Sequence, residues 1–230
     1  MRIVTVSGQG VYGVLPITKQ QIRSAKREER ESHWWLDRLT CTLRIRGKLA
    51  TAATVTPALA ACTIGTAHTN GCPGIHWANN GYAHPQVYFV DHTGAAWPVD
   101  VATYTWNQAQ GIDSIYVSGS CPGYSGTHCA NMYDANYGAT GWAGLTYTPV
   151  DSHLNIRDGV VYSKFNDYYG VGYTAAEHRQ DTCHEQGHVL GLDHNDSTNS
   201  CIYYAIISSA PQYPDADDYA VLKSVYSYTH

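Results

Sequence analysis

The sequence has few of the residue types that mark several protein classes. Only 14% of its 230 residues are charged, and it holds two Phe and two Met against 19 Tyr, six Trp and 21 Gly. So few charges beside 43% hydrophobic residues exclude a disordered chain and a coiled coil. The composition predicts a turn-rich α+β domain, in which tyrosines take core and rim positions that phenylalanine would otherwise fill.

Basic residues are scarce after residue 50. Ten of the 14 Lys and Arg side chains lie in residues 1–50, whereas residues 51–230 hold four basic and 15 acidic side chains. A nucleic-acid-binding surface needs clustered positive charge to neutralise phosphates. We therefore expect no nucleic-acid partner.

Long hydrophobic runs are also lacking. The mildly apolar stretch 49–61 is too short and too rich in threonine to predict a permanent membrane span. It follows Arg44, Arg46 and Lys48 and ends in small residues, which is the order of a secretory signal peptide. We expect residues 1–61 to be a leader, extended or with a start assigned too far upstream, and residues 62–230 to form one domain. Cleavage after Ala67 is one option.

The segment Leu59-Ala60-Ala61-Cys62 resembles a bacterial lipobox. A lipid on Cys62 would anchor the protein at the cell surface, so a membrane is a partner only in that case. The alternative is an ordinary cysteine in a secreted protein, which would be free to pair with Cys72 if processing leaves it in place. Both alternatives stay open.

The seven cysteines include no Cys-x-x-Cys pair, so their spacing argues against a zinc site built from cysteine. In an exported chain, cysteines predict disulfide bonds. Cys121 and Cys129 bracket a loop rich in Pro, Gly and Ser, and Cys183 and Cys201 bracket a histidine-rich segment. We expect these two pairs to be bonded.

Hydrophobic spacing and capping signals predict a short series of elements. Thr174 and Glu177 fit a capping box at the start of the most polar helix. In chain order we expect a helix over 98–111, a strand over 112–117, a loop over 118–141, strands over 142–148 and 160–163, a helix over 174–191 and a last helix from Asp215. Strands followed by helices indicate an α+β fold.

Residues 184–194 carry three histidines and a glutamate. Positions i and i+4 of a helix share a face, so His184 and His188 can bind one metal ion while Glu185 projects alongside. A left-handed conformation at Gly191 would end the helix and return His194 as a third ligand, leaving one position for water. Five such positions coincide by chance in about one in ten thousand chains of this length. The pattern predicts a zinc site, with an inert helix as the alternative.

The pattern H-E-x-x-H-x-x-G-x-x-H resembles the metzincin clan of zinc metallopeptidases, and its Gly-Leu-Asp-His ending is most similar to small secreted bacterial matrixins. The likeness covers roughly residues 85–230. It implies a twisted mixed sheet, an active-site helix and a short C-terminal subdomain that ends in a helix. It also implies one catalytic Zn²⁺ held by His184, His188 and His194, with Glu185 as the general base.

The sequence departs from the clan at one position. Metzincins place a methionine in a tight turn beneath the metal, and the aligned residue here is Ile202. An apolar side chain of similar volume can pack there, and such exchanges usually cost less than about 1.5 kcal/mol. The cysteine-switch motif of the animal matrixins does not occur in residues 1–61, and no EF-hand spacing indicates structural Ca²⁺.

Tyr204 is a further candidate. Astacin-like and serralysin-like metzincins carry a tyrosine two residues after the methionine, where it can approach the zinc, although matrixins usually lack it. The resemblance therefore implies that Tyr204 could stabilise the transition state. Packing is the alternative, since the chain is rich in tyrosine and Tyr203 could equally face the site.

These observations predict a secreted, monomeric zinc endopeptidase that hydrolyses protein or peptide substrates through a zinc-activated water, with Glu185 as the general base. By the resemblance, the substrate adds a strand to an exposed sheet edge, for which 142–148 is the candidate, and residues 195–213 wall the pocket. Two alternatives stay open: a catalytically inactive zinc-binding or aromatic-surface binding module on the same scaffold, and zinc-dependent hydrolysis of a different bond.

Overall fold

The computed structural model describes residues 2–6, 11–15 and 75–227. Cys62, Cys72, Ala67 and most of the predicted leader lie outside these residues, so lipidation and cleavage stay predictions. No helix in the described part of the chain is long and apolar enough to cross a membrane.

Seven strands in the described residues form one mixed sheet, and four helices accompany it. The strands are β1 Arg2–Val6, β2 Val11–Leu15, β3 Gln86–Asp91, β4 Asp113–Ser118, β5 His128–Ala135, β6 Gly144–Tyr147 and β7 Tyr162–Asn166. The helices are α1 Val99–Trp106, α2 Asp167–Gly170, α3 Ala175–Val189 and α4 Ala216–Tyr226. The strand order is β1-β2-β6-β7-β5-β3-β4. The predicted α+β class with a mixed sheet and a last helix is confirmed.

The sheet changes direction at β6. Strands β4, β3, β5 and β7 run parallel, and β6 is antiparallel to β7. On its other side β6 pairs with β2, again antiparallel, with Tyr12 opposite Thr146 and Gly13 opposite Leu145. The edge of β6 that we predicted to be exposed therefore carries β2.

Two strands differ from the sequence-based expectation. The segment 118–141, predicted as a loop, contains β5, so that prediction was wrong. β5 includes no β-branched residue, but Ala130 and Met132 are fully buried and the strand pairs with β3 and β7. Tertiary pairing overrides local preference here, as is common for strands.

Strand β3 was not predicted, and α1 ends at Trp106 rather than near Gly111.

Helix α3 lies in the core, where it packs against α1 and against strands β6 and β7. All ten residues from Gln180 to Val189 are buried, although most are polar. Trp106 Nε1 donates to the Cys183 carbonyl at 2.9 Å, and Gln186 Nε2 donates to the Val99 carbonyl at 3.0 Å. Buried polar groups need such partners. These bonds fix the position of α3, and with it the residues of the site.

The described residues contain two disulfide bonds. Cys121 is bonded to Cys129 at the start of β5, and Cys183 on α3 is bonded to Cys201. These are the two pairings that the sequence suggested. The second bond joins the helix to the turn that follows the histidine motif.

Candidate metal centre

Local signals set both ends of α3. The predicted capping box is confirmed: the Thr174 hydroxyl accepts from the Glu177 amide at 3.3 Å, and the Glu177 carboxylate accepts from the Thr174 amide at 2.7 Å. At the other end Gly191 has φ +94, and the Leu192 amide donates to the Gly187 carbonyl at 3.1 Å. A Cβ at position 191 would lie 2.7 Å from the Ile75 carbonyl oxygen, so the left-handed turn requires glycine.

This turn brings the three predicted ligands together. The candidate ligand atoms of His184, His188 and His194 all lie within 4.8 Å of one another. The Nε2 atoms of His184 and His188 are 2.9 Å apart, and both rings are buried, whereas the His194 side chain is 17% exposed. His184 and His188 are therefore shielded from solvent, and the cluster is accessible to solvent at His194.

Backbone carbonyls orient two of the imidazoles. The His184 Nδ1 atom lies 3.0 Å from the Cys201 carbonyl oxygen, and the His188 Nδ1 atom lies 2.9 Å from that of Leu192. Nδ1–H must donate in both contacts, because a carbonyl only accepts. The Nε2 lone pairs are then left to face the centre of the cluster, which is the orientation that metal-binding histidines usually have.

The electrostatics also favour neutral imidazoles. Burial lowers the pKa of His184 well below its ordinary value, with the neighbouring His188 and His194 as further causes. Burial likewise lowers the pKa of His188, and it lowers that of His194 to about 2. Three neutral nitrogen donors at one point fit a Zn²⁺ ion.

Ile202, the residue that we aligned with the metzincin methionine, packs against helix α3. Its buried side chain packs against Gly187, where an added Cβ would overlap Ile202 and lie 2.8 Å from Trp106. The Asn195 amide donates to the Ile202 carbonyl at 3.0 Å. Isoleucine therefore fills this position, and Gly187, which the sequence analysis did not single out, is needed for the close approach.

Glu185 is buried beside the ligands. Its Oε2 atom accepts from the Thr146 hydroxyl at 2.6 Å, and Thr146 is 2.6 Å from the Ser163 hydroxyl. Burial raises the pKa of Glu185 well above its ordinary value; the Asp181 carboxyl adds to this and the bond from Thr146 opposes it. Sequence reasoning missed Thr146 and Ser163, although polar residues facing a helix from buried strands were a usable signal.

Asp181 was missed as well. It lies one helical turn before Glu185, is fully buried, and burial raises its pKa to about 8. Neither of its carboxyl oxygens has a hydrogen-bond donor among the described residues.

A second buried polar cluster lies where the loop after His194 meets α4. The Asp218 carboxylate accepts from Asn195 Nδ2 at 3.0 Å, from the Ser200 hydroxyl at 2.6 Å and from the Asp215 amide at 2.7 Å. Asp215 caps α4, as predicted, and Asp218 completes a capping box. This Asp218 cluster holds the loop that carries Ile202.

Tyr204 lies at the surface with 40% of its area exposed. Its hydroxyl accepts from that of Tyr203 at 3.0 Å, and the two ring centroids are 4.3 Å apart. A role of Tyr204 in the transition state therefore stays a prediction.

Comparisons with known proteins add only distant likenesses. No protein-family model and no curated protein matches the chain. Among solved structures, myroilysin is similar at 14% identity and a TM-score of 0.39, over 67% of this chain and 83% of that one. Metalloproteinase-II from Bacteroides fragilis is similar at 13% identity and a TM-score of 0.35, over 97% of this chain and 75% of that one. These likenesses are too distant to assign a function, which has to rest on the site.

Proposed function

We propose that this protein is a zinc-dependent endopeptidase in which Glu185 is the general base. The observation that carries the proposal is the convergence of three neutral imidazoles, His184, His188 and His194, next to a buried carboxyl group. Three histidines that leave one coordination position open are the ligand set of a catalytic zinc site rather than a structural one.

A zinc ion held by these imidazoles would polarise a scissile carbonyl and lower the pKa of a water molecule at its open position. Glu185 supplies the base. Burial raises the basicity of its carboxylate, and Thr146 holds one oxygen while Oε1 has no donor among the described residues. Glu185 would take the proton of the attacking water through this carboxylate and pass it to the leaving amine, and no covalent intermediate with the protein is needed.

The substrate would lie extended along β6. Thr146, the residue that bonds Glu185, is in this strand, so a chain that pairs with β6 passes beside the base. In the structure β2 occupies this edge, with Tyr12 opposite Thr146. A substrate that binds as a strand must therefore replace β2.

We infer an extracellular location from the disulfide bonds. The two disulfides in the domain are typical of proteins that fold in an oxidising compartment. The expected substrate is a protein or peptide and the expected assembly is a monomer, with a lipid anchor on Cys62 as the alternative to free secretion.

The test is casein zymography of the protein with and without a metal chelator, followed by zinc restoration. We expect a clearing band that the chelator abolishes and zinc restores. Glu185→Gln should bind zinc in the same stoichiometry yet cleave a quenched fluorescent peptide about two to four orders of magnitude more slowly. Zinc binding without cleavage by the unaltered protein would indicate an inactive binding module instead, and near-normal turnover by the Gln variant would rule out Glu185 as base.

A further inference from the structure

A pair of hydroxyl groups lies beside the base, on the two strands against which α3 packs. Thr146 of β6 and Ser163 of β7 are directly opposite each other in the sheet, and both side chains are fully buried. Their oxygen atoms are 2.6 Å apart, and Thr146 Oγ1 lies 2.6 Å from Oε2 of Glu185. The three side chains therefore form one hydrogen-bonded chain that ends on the base.

Packing alone does not account for this pair of hydroxyl groups. Alanine and valine would fill the places of Ser163 and Thr146 without a polar atom, and a buried hydroxyl group costs free energy unless it is hydrogen-bonded. On the same face of β7, Phe165 is fully buried in the hydrophobic core. Among the described residues, the Ser163 hydroxyl bonds to Thr146 and to no other group. Its hydrogen-bonding capacity is thus directed along the chain that ends on Glu185.

The direction of each hydrogen bond follows from the chemistry of the groups. A hydroxyl group has one hydrogen and two lone pairs, and a carboxylate that acts as a base only accepts. The Thr146 hydrogen therefore goes to Glu185 Oε2 at 2.6 Å rather than to the Glu185 backbone carbonyl, which is farther away at 3.1 Å. Ser163 is then left to donate its own hydrogen to Thr146 Oγ1.

Gly144 gives the carboxyl group of Glu185 the room that this orientation needs. A Cβ at this position of β6 would lie 2.7 Å from the carboxyl carbon of Glu185, with Oε1 closer still. Thr146 holds Oε2 from the same strand, while Oε1 has no hydrogen-bond donor among the described residues. One oxygen of the base is therefore fixed, and the other is left to accept a proton.

We propose that Ser163 is a positioning residue for the base and acts through Thr146. Its hydroxyl donates to Thr146 Oγ1, occupies one lone pair there, and so directs the Thr146 hydrogen to Oε2 of Glu185 instead of the backbone carbonyl. This rests on the proposed role of Glu185 as general base. Because hydrogen bonds in a chain strengthen one another, loss of the first donor weakens the bond that holds the carboxylate.

The kinetic experiment compares Ser163→Ala with Thr146→Val, which keeps the shape of threonine without its hydroxyl. We expect kcat to fall about threefold to tenfold in Ser163→Ala and about tenfold to a hundredfold in Thr146→Val, with KM little changed and one zinc bound in both. Thr146→Ser keeps the donor, and its kcat should stay within about threefold of normal. The matched control is Ser114→Ala, which removes a buried hydroxyl from β4 and should leave kcat unchanged.

Double variants separate a positioning role of Ser163 from a structural one. Because Ser163 acts only through Thr146, Ser163→Ala added to Thr146→Val should lower kcat no further. Added to Glu185→Gln, it should leave the residual rate unchanged. An unchanged kcat in Ser163→Ala would overturn the proposal. So would a loss of kcat in the Thr146→Val background as large as the loss in the unaltered protein.

A readout that needs no substrate separates this proposal from the proposed function. In nuclear magnetic resonance spectra of the isotope-labelled protein, the Thr146 hydroxyl hydrogen should give its own signal, protected from exchange with water. We expect Ser163→Ala to shift this signal and speed its exchange, and Ser114→Ala to leave it unchanged. An unaltered signal in Ser163→Ala would overturn the proposal in an active peptidase. A shifted signal in a protein that cleaves no peptide would contradict the proposed function and still support the hydrogen-bonded chain.

Discussion

The Asp218 cluster and the candidate metal centre, the two buried polar clusters, differ in how completely their hydrogen-bonding groups are paired. In the Asp218 cluster, Asn195, Ser200 and the Asp215 amide all donate to one carboxylate. In the metal centre, both oxygens of Asp181 and one of Glu185 have no donor among the described residues. Native cores rarely leave such groups unpaired. We propose that the cluster with unused hydrogen-bonding capacity serves chemistry and that the satisfied cluster serves the fold.

This comparison predicts that substitutions in the two clusters separate activity from stability. Changes in the metal centre should remove metal binding or turnover and leave the free energy of unfolding of the metal-free protein nearly unchanged. Changes in the Asp218 cluster should lower the free energy of unfolding and leave the turnover of folded molecules intact.

The largest effect is expected for His188→Ala. Loss of one of three ligands should abolish stoichiometric zinc binding, and hydrolysis should fall at least as far as the two to four orders of magnitude expected without the base. Zinc per protein by mass spectrometry and peptide turnover measure this. His153→Ala, an exposed histidine outside the site, is the control. Full zinc occupancy in His188→Ala would mean that the cluster is not the metal site.

The Cys183–Cys201 disulfide joins the two clusters, and its removal should be the next largest effect. Replacing both cysteines by alanine should lower the free energy of unfolding by about 3 kcal/mol in the chain-entropy model. The matched control is Cys121→Ala with Cys129→Ala. Its separation is 8 residues instead of 18, so the same model gives a loss smaller by roughly 0.7 kcal/mol. Urea unfolding compares the two, and an equal or reversed order would show that loop closure is not the dominant contribution.

Asp218→Asn should destabilise the protein by about 1–3 kcal/mol, because an amide cannot accept from all three donors. Burial raises the pKa of Asp218 to about 6, although its donors oppose this. The folded state then holds a proton that the unfolded state has released, so this carboxyl should make stability fall as pH rises from about 4 to about 6. The variant should lose that pH dependence in urea unfolding. The exposed control Asp196→Asn should keep this pH dependence. Reduced turnover of folded Asp218→Asn would contradict the prediction that this cluster affects stability alone.

The smallest effect is expected for Tyr204→Phe. If the phenol reaches the transition state, kcat and kcat/KM should fall together by up to about tenfold while KM stays constant. Tyr203→Phe removes the donor to the Tyr204 hydroxyl and serves as the paired control. Unchanged steady-state kinetics in Tyr204→Phe would assign that side chain to packing.

The sequence predicts the parts of the site that depend on local geometry. The capping box at Thr174, the left-handed turn at Gly191 and the two disulfide pairings all follow from short-range spacing, and the structure has them. Strand β5 could not be predicted, because pairing with β3 and β7 stabilises it rather than its own residues. Asp181 was missed for the same reason: a carboxyl group looks like a solvated residue until the strand that covers it is known.

Strand β2 competes with a substrate strand for the same edge of β6. Because β2 belongs to the same chain, it competes intramolecularly, at an effective concentration that does not depend on the protein concentration. The apparent affinity of a free peptide is then its intrinsic affinity multiplied by the fraction of molecules whose β6 edge is open. Cutting the chain between Leu15 and Gln86 would turn this tethered competitor into a soluble one. Simple dilution would then remove it, whereas no dilution can remove it from the intact chain.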